Sequence, residues 1–114
     1  MDWVKLIDCK GKSFFRGTVF RLPGKHPYEE WVDFIAYDPF IDNKGLALMV
    51  SSGYKGGLPL VVLPNESKIP GEHSIAREWL VKNWSYWIYP DCDVSEIYIS
   101  KGYTATPLIL TNTG

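Results

Sequence analysis

The sequence contains no apolar run that approaches the length of about 18 residues needed by a membrane-spanning helix. Its first residues, MDWVKLIDCKGK, also lack the basic start and the apolar stretch that together make a secretory signal. We therefore expect a protein of the cytoplasm that has no contact with a membrane.

Cysteine and histidine are scarce, with two of each. Cys9 and Cys92 lie far apart and form no C-x-x-C pair, so we predict free thiols rather than a disulfide in a reducing compartment. His26 and His73 are equally scattered, and metal ligands normally come in closely spaced pairs. The sequence therefore predicts no metal site and no cofactor.

An excess of positive charge is also missing, because the net charge is −1. A general nucleic-acid binder needs a clear surplus of lysine and arginine, so we predict no nucleic-acid partner. The charges are nevertheless segregated: residues 1–25 hold six basic and two acidic side chains, and residues 26–43 hold five acidic ones and no lysine or arginine. Such segregation can steer a charged partner, although the two groups could also interleave on a solvated surface.

Aromatic residues are abundant, at 15% of the chain, with five tryptophans and seven tyrosines. This is more than a core of this size needs, and tryptophan and tyrosine dominate the energetic hot spots of protein interfaces. The composition therefore favours a protein that binds another protein.

The length of 114 residues predicts one domain over residues 1–114. Apolar and β-branched runs predict strands, bounded by glycine and proline. The predicted strands cover residues 13–22 (bent at Gly17), 31–37, 46–50, 58–63 and 94–100, and residues 105–114 form either an edge strand or a frayed tail.

Apolar residues recur at spacings of three and four between Ile75 and Ile88. This pattern predicts one amphipathic helix over about residues 75–88, with Ser74 as its N-cap and with Trp79, Trp84 and Trp87 in the core. The fold class is therefore α+β, with a four- or five-stranded, mainly antiparallel sheet and this helix packed on one face.

The stretch SSGYKGG, residues 51–57, lies between two of the predicted strands. A phosphate-binding loop requires a helix after the glycines, so that backbone N–H groups and the helix dipole converge on the anion. Here an apolar strand follows instead. The glycines therefore predict a wide hairpin turn that holds Tyr54 and Lys55 at its tip.

Two other classes of function remain open from the residues alone. A small enzyme would use Cys9 or Cys92 with a histidine, although no spacing supports the pairing and no orienting group is identifiable. A binder of single-stranded nucleic acid would use exposed aromatic side chains, but the sequence lacks the basic groove that follows a phosphate backbone.

Three further stretches are informative together: VFRLPGKHPYEEWVDF (19–34), LMVSSGYKGGLPLVVLP (48–64) and WLVKNWSYWIYPDC (79–92). They resemble a family of small immunity proteins found beside bacterial polymorphic toxins. The family motifs have the forms RFPGKYPYEE, VSSGYKAGL and NWNKWIYPDC. This chain departs from them at Leu22, His26, Gly56 and Ser85-Tyr86.

The resemblance implies an inhibitor without enzymatic activity that forms a 1:1 complex with a cognate toxin domain encoded by the adjacent gene. The implied toxin belongs to a contact-dependent growth inhibition system or is a secreted effector. It is expected to be a nuclease whose basic cleft meets acidic and tyrosine side chains. The candidate toxin-binding residues are Tyr28, Glu29, Glu30, Asp33, Tyr54, Lys55, Tyr86, Tyr89, Asp91 and Asp93.

Overall fold

A computed structural model of the chain describes residues 2–25, 29–105 and 108. Eight strands and one helix follow one another within this part: β1 (Val4–Lys5), β2 (Ser13–Phe14), β3 (Val19–Pro23), β4 (Trp31–Tyr37), β5 (Lys44–Val50), β6 (Pro59–Pro64), β7 (Ile75–Ala76), α1 (Arg77–Trp87) and β8 (Tyr98–Ser100). Three single 3₁₀ turns lie at Leu6–Asp8, Asn65–Ser67 and Val94–Glu96. None of the described helices is long and apolar enough to cross a membrane.

Six strands form the main sheet of the described residues, in the order β1-β8-β3-β4-β5-β6, and every neighbouring pair is antiparallel. The predicted α+β class and the antiparallel sheet are confirmed, but the predicted number of strands is one or two too low. The extra strand is β1, whose two residues are too few to produce an alternating pattern. It is held in place by pairing Val4 with Ile99 and Lys5 with Tyr98.

The predicted strand over residues 13–22 is two strands in two different sheets. A turn at Gly17, with φ of +90°, separates them, and the Gly17 N–H donates to the carbonyl of Ala36 at 2.7 Å. β2 then pairs with β7 in a small second sheet, and β3 joins the main one. The predicted strand over residues 94–100 is likewise shorter, because Val94–Glu96 is a 3₁₀ turn.

The helix begins at Arg77 rather than at Ile75, and Ser74 is not its N-cap. Ile75 and Ala76 are instead extended and pair with Phe14 and Ser13. Ser74 is buried, and its Oγ lacks a hydrogen-bond partner among the described residues. The helix start is therefore fixed by strand pairing rather than by a capping side chain.

The core lies between α1 and one face of the main sheet. Trp84 is fully buried there, with its ring centroid 5.9 Å from that of Phe20 and 6.3 Å from that of Phe34, which are cross-strand partners on β3 and β4. Trp79 and Trp87, also predicted for the core, lie at its edge: Trp79 is half-buried, and Trp87, 36% exposed, packs beside it. Only part of the aromatic surplus therefore serves the interior.

The turn between β4 and β5 carries an unusual residue at its tip. Phe40 has a φ of +54°, while its side chain is 81% exposed. Its N–H donates to the Asp38 carboxylate at 2.8 Å, which holds the turn closed. A bulky residue in the left-handed region costs free energy, on the order of 1 kcal/mol or more, and this ring recovers little of it by burial.

Replacing Phe40 by asparagine should therefore raise the free energy of unfolding by about 0.5 to 1 kcal/mol, because asparagine adopts positive φ more readily. Urea unfolding monitored by tryptophan fluorescence measures this. Ile41→Asn is the control, since Ile41 is also exposed but has no positive φ. A loss of stability in Phe40→Asn would mean that the ring contributes packing.

Candidate functional site

The three segments that carry the family resemblance meet around one cavity of about 320 Å³. We call it the junction cavity, and it lies beside the end of the helix. Five apolar side chains line it: Leu22, Val32, Phe34, Val50 and Leu60. The other five lining residues are Glu29, Ser52, Lys55, Tyr89 and Asp91. Four of the candidate residues, Glu29, Lys55, Tyr89 and Asp91, are thus brought together.

The hairpin loop 51–57 forms one wall of the cavity, and it is a turn as predicted. The Val50 N–H donates to the Leu58 carbonyl at 2.9 Å, and the Gly57 N–H donates to the Val50 carbonyl at 2.6 Å. Gly53 and Gly57 have φ of +67° and +93°, which glycine adopts without strain. β6 follows directly, so the loop does not open a helix and cannot form the phosphate site considered for it.

Glu29 ties this loop to the segment between β3 and β4. Its Oε1 accepts a hydrogen bond of 2.6 Å from the Tyr54 N–H. This hydrogen bond lowers the pKa of the Glu29 carboxyl, and the nearby positive charge of Lys55 lowers it further. Gly53 makes the approach possible, because a Cβ there would lie 2.3 Å from the same Oε1. Gly24 likewise permits a close approach of the Glu29 main chain, because a Cβ at position 24 would lie 1.9 Å from the Glu29 carbonyl oxygen.

Asp33 does not belong to an exposed acidic patch, contrary to the expectation from the sequence. It is 2% exposed, and its carboxylate accepts two hydrogen bonds from the Arg21 guanidinium, at 2.7 and 2.9 Å. Tyr103 donates a third, at 2.8 Å. The physical reason is register: Arg21 and Asp33 are direct cross-strand partners on the face of the sheet opposite the helix.

The main chain of Asp33 also anchors the hairpin loop. Its N–H donates to the Ser52 hydroxyl at 2.9 Å, and its carbonyl accepts from the Ser51 N–H at 2.8 Å. The Ser51 hydroxyl lies 2.7 Å from the Tyr103 hydroxyl. One residue thus connects the ion pair, the loop and the segment after β8.

The remaining candidates are distributed more widely. Tyr54 and Tyr86 are 89% and 88% exposed, whereas Tyr89 is half-buried with its ring edge against Phe34. Glu30 is exposed. Asp93 accepts hydrogen bonds from the N–H and hydroxyl of Ser95, which lower the pKa of its carboxyl. Tyr28 and His26 lie outside the described residues.

The environment of Cys92 does not suit a nucleophile. Both thiols are free, as predicted, and Cys92 is buried. Burial, followed by the negative charge of Glu96, raises the pKa of the Cys92 thiol to about 11, so it is protonated at neutral pH. His73 is paired elsewhere, with its Nε2 2.8 Å from the Asp38 carboxylate. Within the described part of the chain, no group of three or more potential metal-binding side chains comes together.

Sequence reasoning missed the network around Asp33, and with it the role of Arg21. The guanidinium of Arg21 also lies over the Trp3 ring, 4.1 Å from its centroid. A usable signal existed, because the alternation in WVDFIAY puts Asp33 on the same face as Trp31 and Ile35. An ionised side chain in the middle of such a face calls for a partner on the neighbouring strand.

The sequence model of the family described as Immunity protein 45 matches residues 6–99. This range covers most of the chain and contains all three segments around the junction cavity, so the resemblance to immunity proteins is confirmed. The chain is therefore an immunity protein, a class whose members neutralise toxins and are generally not enzymes. It belongs to the immunity protein 45 family. Searches of curated proteins and of solved structures gave no match.

Gly53→Ala should break the contact between Glu29 and the loop. The added Cβ would displace the Glu29 carboxylate, so the pKa of that carboxyl should rise toward its ordinary value when the Tyr54 N–H bond is lost. The positive φ should also lower the free energy of unfolding by about 1 kcal/mol. Carboxyl-detected NMR titration and urea unfolding measure the two effects.

Gly57→Ala is the matched control for this substitution. Gly57 also has positive φ, but a Cβ there meets nothing within 4 Å, so it should lower stability to a similar extent and leave the pKa of Glu29 unchanged. If Gly53→Ala left that pKa unchanged too, the hydrogen bond would not be what holds the carboxyl.

Proposed function

We propose that this protein binds a cognate toxin domain through the surface around the junction cavity and neutralises it by blocking its active site or substrate path. Membership of the family supports the binding of a toxin, since immunity proteins act on toxins. The location of the binding surface is supported by the meeting of three separate stretches of the sequence at one cavity, which is lined by residues from 29–34, 50–60 and 89–91.

The chemistry of this surface fits a protein partner. Tyr54 is almost fully exposed at the tip of a loop that is anchored on both sides, by Glu29 and by Asp33. An exposed tyrosine on a rigid support provides contact area at a small entropic cost, which is the property of an interface anchor. Lys55, the next residue of the loop, and Tyr89 line the cavity.

Charge favours a basic partner. The stretches of sequence that line the cavity, with their neighbouring residues, carry more acidic than basic side chains. The acidic ones are Glu29, Glu30, Asp91 and Asp93, and the basic ones are Lys25 and Lys55. A nuclease has a basic substrate cleft, so an acidic surface of this kind would be attracted to it and would exclude the nucleic acid. We accordingly propose a nuclease toxin, encoded by the adjacent gene in a contact-dependent growth inhibition system. It would be bound 1:1 in the cytoplasm.

The proposal predicts that expression of this protein rescues cells from the toxin encoded next to it. Glu30→Lys with Asp91→Lys should lower the association rate constant by about tenfold at low salt and weaken its salt dependence, because both carboxylates are exposed and steer a basic partner. Biolayer interferometry at two salt concentrations measures the rate.

Glu78→Lys is the control, since Glu78 is an exposed carboxylate on the helix that does not line the junction cavity. It should change the association rate by less than about twofold. Equal killing by the toxin with and without this protein would remove the proposed function. Equal rates for the double variant and the control would place the interface elsewhere.

A further inference from the structure

The junction cavity combines an apolar wall with a charged rim, which limits what it can hold. Leu22, Phe34 and Val50 are almost fully buried and form the wall, and Leu60 borders it with an exposure of 37%. The volume of about 320 Å³ is at the lower end of the range for ligand pockets, about 300 to 1,000 Å³. It therefore has room for one long side chain of a partner rather than for a helix or strand.

The charges at the rim decide the chemistry of that side chain. Glu29 and Asp91 present two carboxylates, and Lys55 presents one ammonium group. The hydrogen bond from the Tyr54 N–H favours the ionised form of Glu29 and holds the carboxylate in a fixed place. A purely aliphatic side chain would leave both carboxylates partly desolvated without a new partner. An acidic side chain would be repelled by both of them, because it carries the same charge.

A basic side chain with an apolar stem meets both requirements. Its methylene groups can cover the apolar wall while its charged end reaches the carboxylates. The Tyr89 ring, held edge-on against Phe34, borders the same space. The planar guanidinium of arginine can stack on an aromatic ring and bind carboxylates through several N–H groups, whereas the ammonium of lysine is a compact, strongly hydrated charge.

We propose that the junction cavity is the receptor for a single arginine side chain of the toxin. This inference rests on the proposed function and deepens it, because it names the group that the surface recognises. Glu29 and Asp91 bind the guanidinium, which stacks on the Tyr89 ring, and the apolar wall holds the stem.

The first arm of the test uses the complex with the toxin. Glu29→Gln with Asp91→Asn removes both charges at nearly constant shape and should weaken binding by about 30-fold or more. Leu60→Trp should weaken it at least tenfold by filling the cavity while leaving both carboxylates in place. Glu78→Gln is the matched control and should bind like the unchanged protein.

The second arm needs no toxin. Nα-acetyl-arginine methylamide is titrated into the ¹⁵N-labelled full chain, with the citrulline analogue as a neutral probe of the same shape. The arginine probe should produce saturable shifts at the amides of Gly53 and Tyr54 with a dissociation constant in the range of about 1 to 10 mM, and the citrulline probe should not. The Glu29→Gln and Asp91→Asn variant should abolish the response.

The two arms separate the possible failures. Toxin binding that is unchanged in both the double variant and Leu60→Trp would overturn the arginine receptor and leave the proposed function intact. The same holds if the arginine and citrulline probes give equal shifts, or if the arginine probe gives none at about 50 mM. A saturable arginine response in a protein that binds no toxin would show that the cavity binds arginine, but it would overturn both the proposed function and the toxin as the source of the arginine. Circular dichroism melting of each variant verifies that it is folded.

Discussion

The buried carboxylate of Asp33 is the interaction on which the arrangement of this end of the molecule depends. Its oxygens are shared between the Arg21 guanidinium and the Tyr103 hydroxyl, while its main chain holds Ser51 and Ser52. Losing one partner of a fully buried ion pair costs on the order of 3 to 5 kcal/mol. The cost here should be smaller, because the Arg21 side chain is 36% exposed to water.

This anchoring explains how a glycine-rich loop can present a defined surface. Loop 51–57 is fixed to β4 at its start through Asp33, and its tip is fixed to the segment before β4 through Glu29. The glycines permit the backbone turns and the close approach of Glu29, while hydrogen bonds remove the freedom that glycine would otherwise bring. A binding surface that is ordered before the partner arrives loses less conformational entropy on association.

Much of the architecture was predictable because local patterns determine it. The alternation of residues 31–37 gave β4 with its observed bounds, the glycine cluster gave the β5–β6 hairpin, and the apolar spacing gave the helix within two residues at its start. The two-residue strands β1 and β7 were not predictable, because they exist only through tertiary pairing. Ser74 failed as a cap for the same reason: the pairing of Ile75 with Phe14 overrides the local preference.

The site was predicted less completely than the fold. The resemblance to immunity proteins selected Glu29, Lys55, Tyr89 and Asp91, and these meet at one cavity. The same step also selected Asp33, which is buried, because a list of acidic residues along the sequence ignores which of them face a basic partner across the sheet. The alternation of residues 31–37 indicates that Asp33 needs a partner, and the register of the β3–β4 hairpin identifies that partner as Arg21.

Hydrogen–deuterium exchange of this protein, alone and bound to its cognate toxin, would show which backbone segments the partner covers. The account predicts that binding slows exchange at the backbone amides of residues 29–30, 51–58 and 88–93 together, because one partner covers all three segments. Exchange that slows only on the far side of the molecule, for example in β1 and in the turn at Phe40, would contradict it.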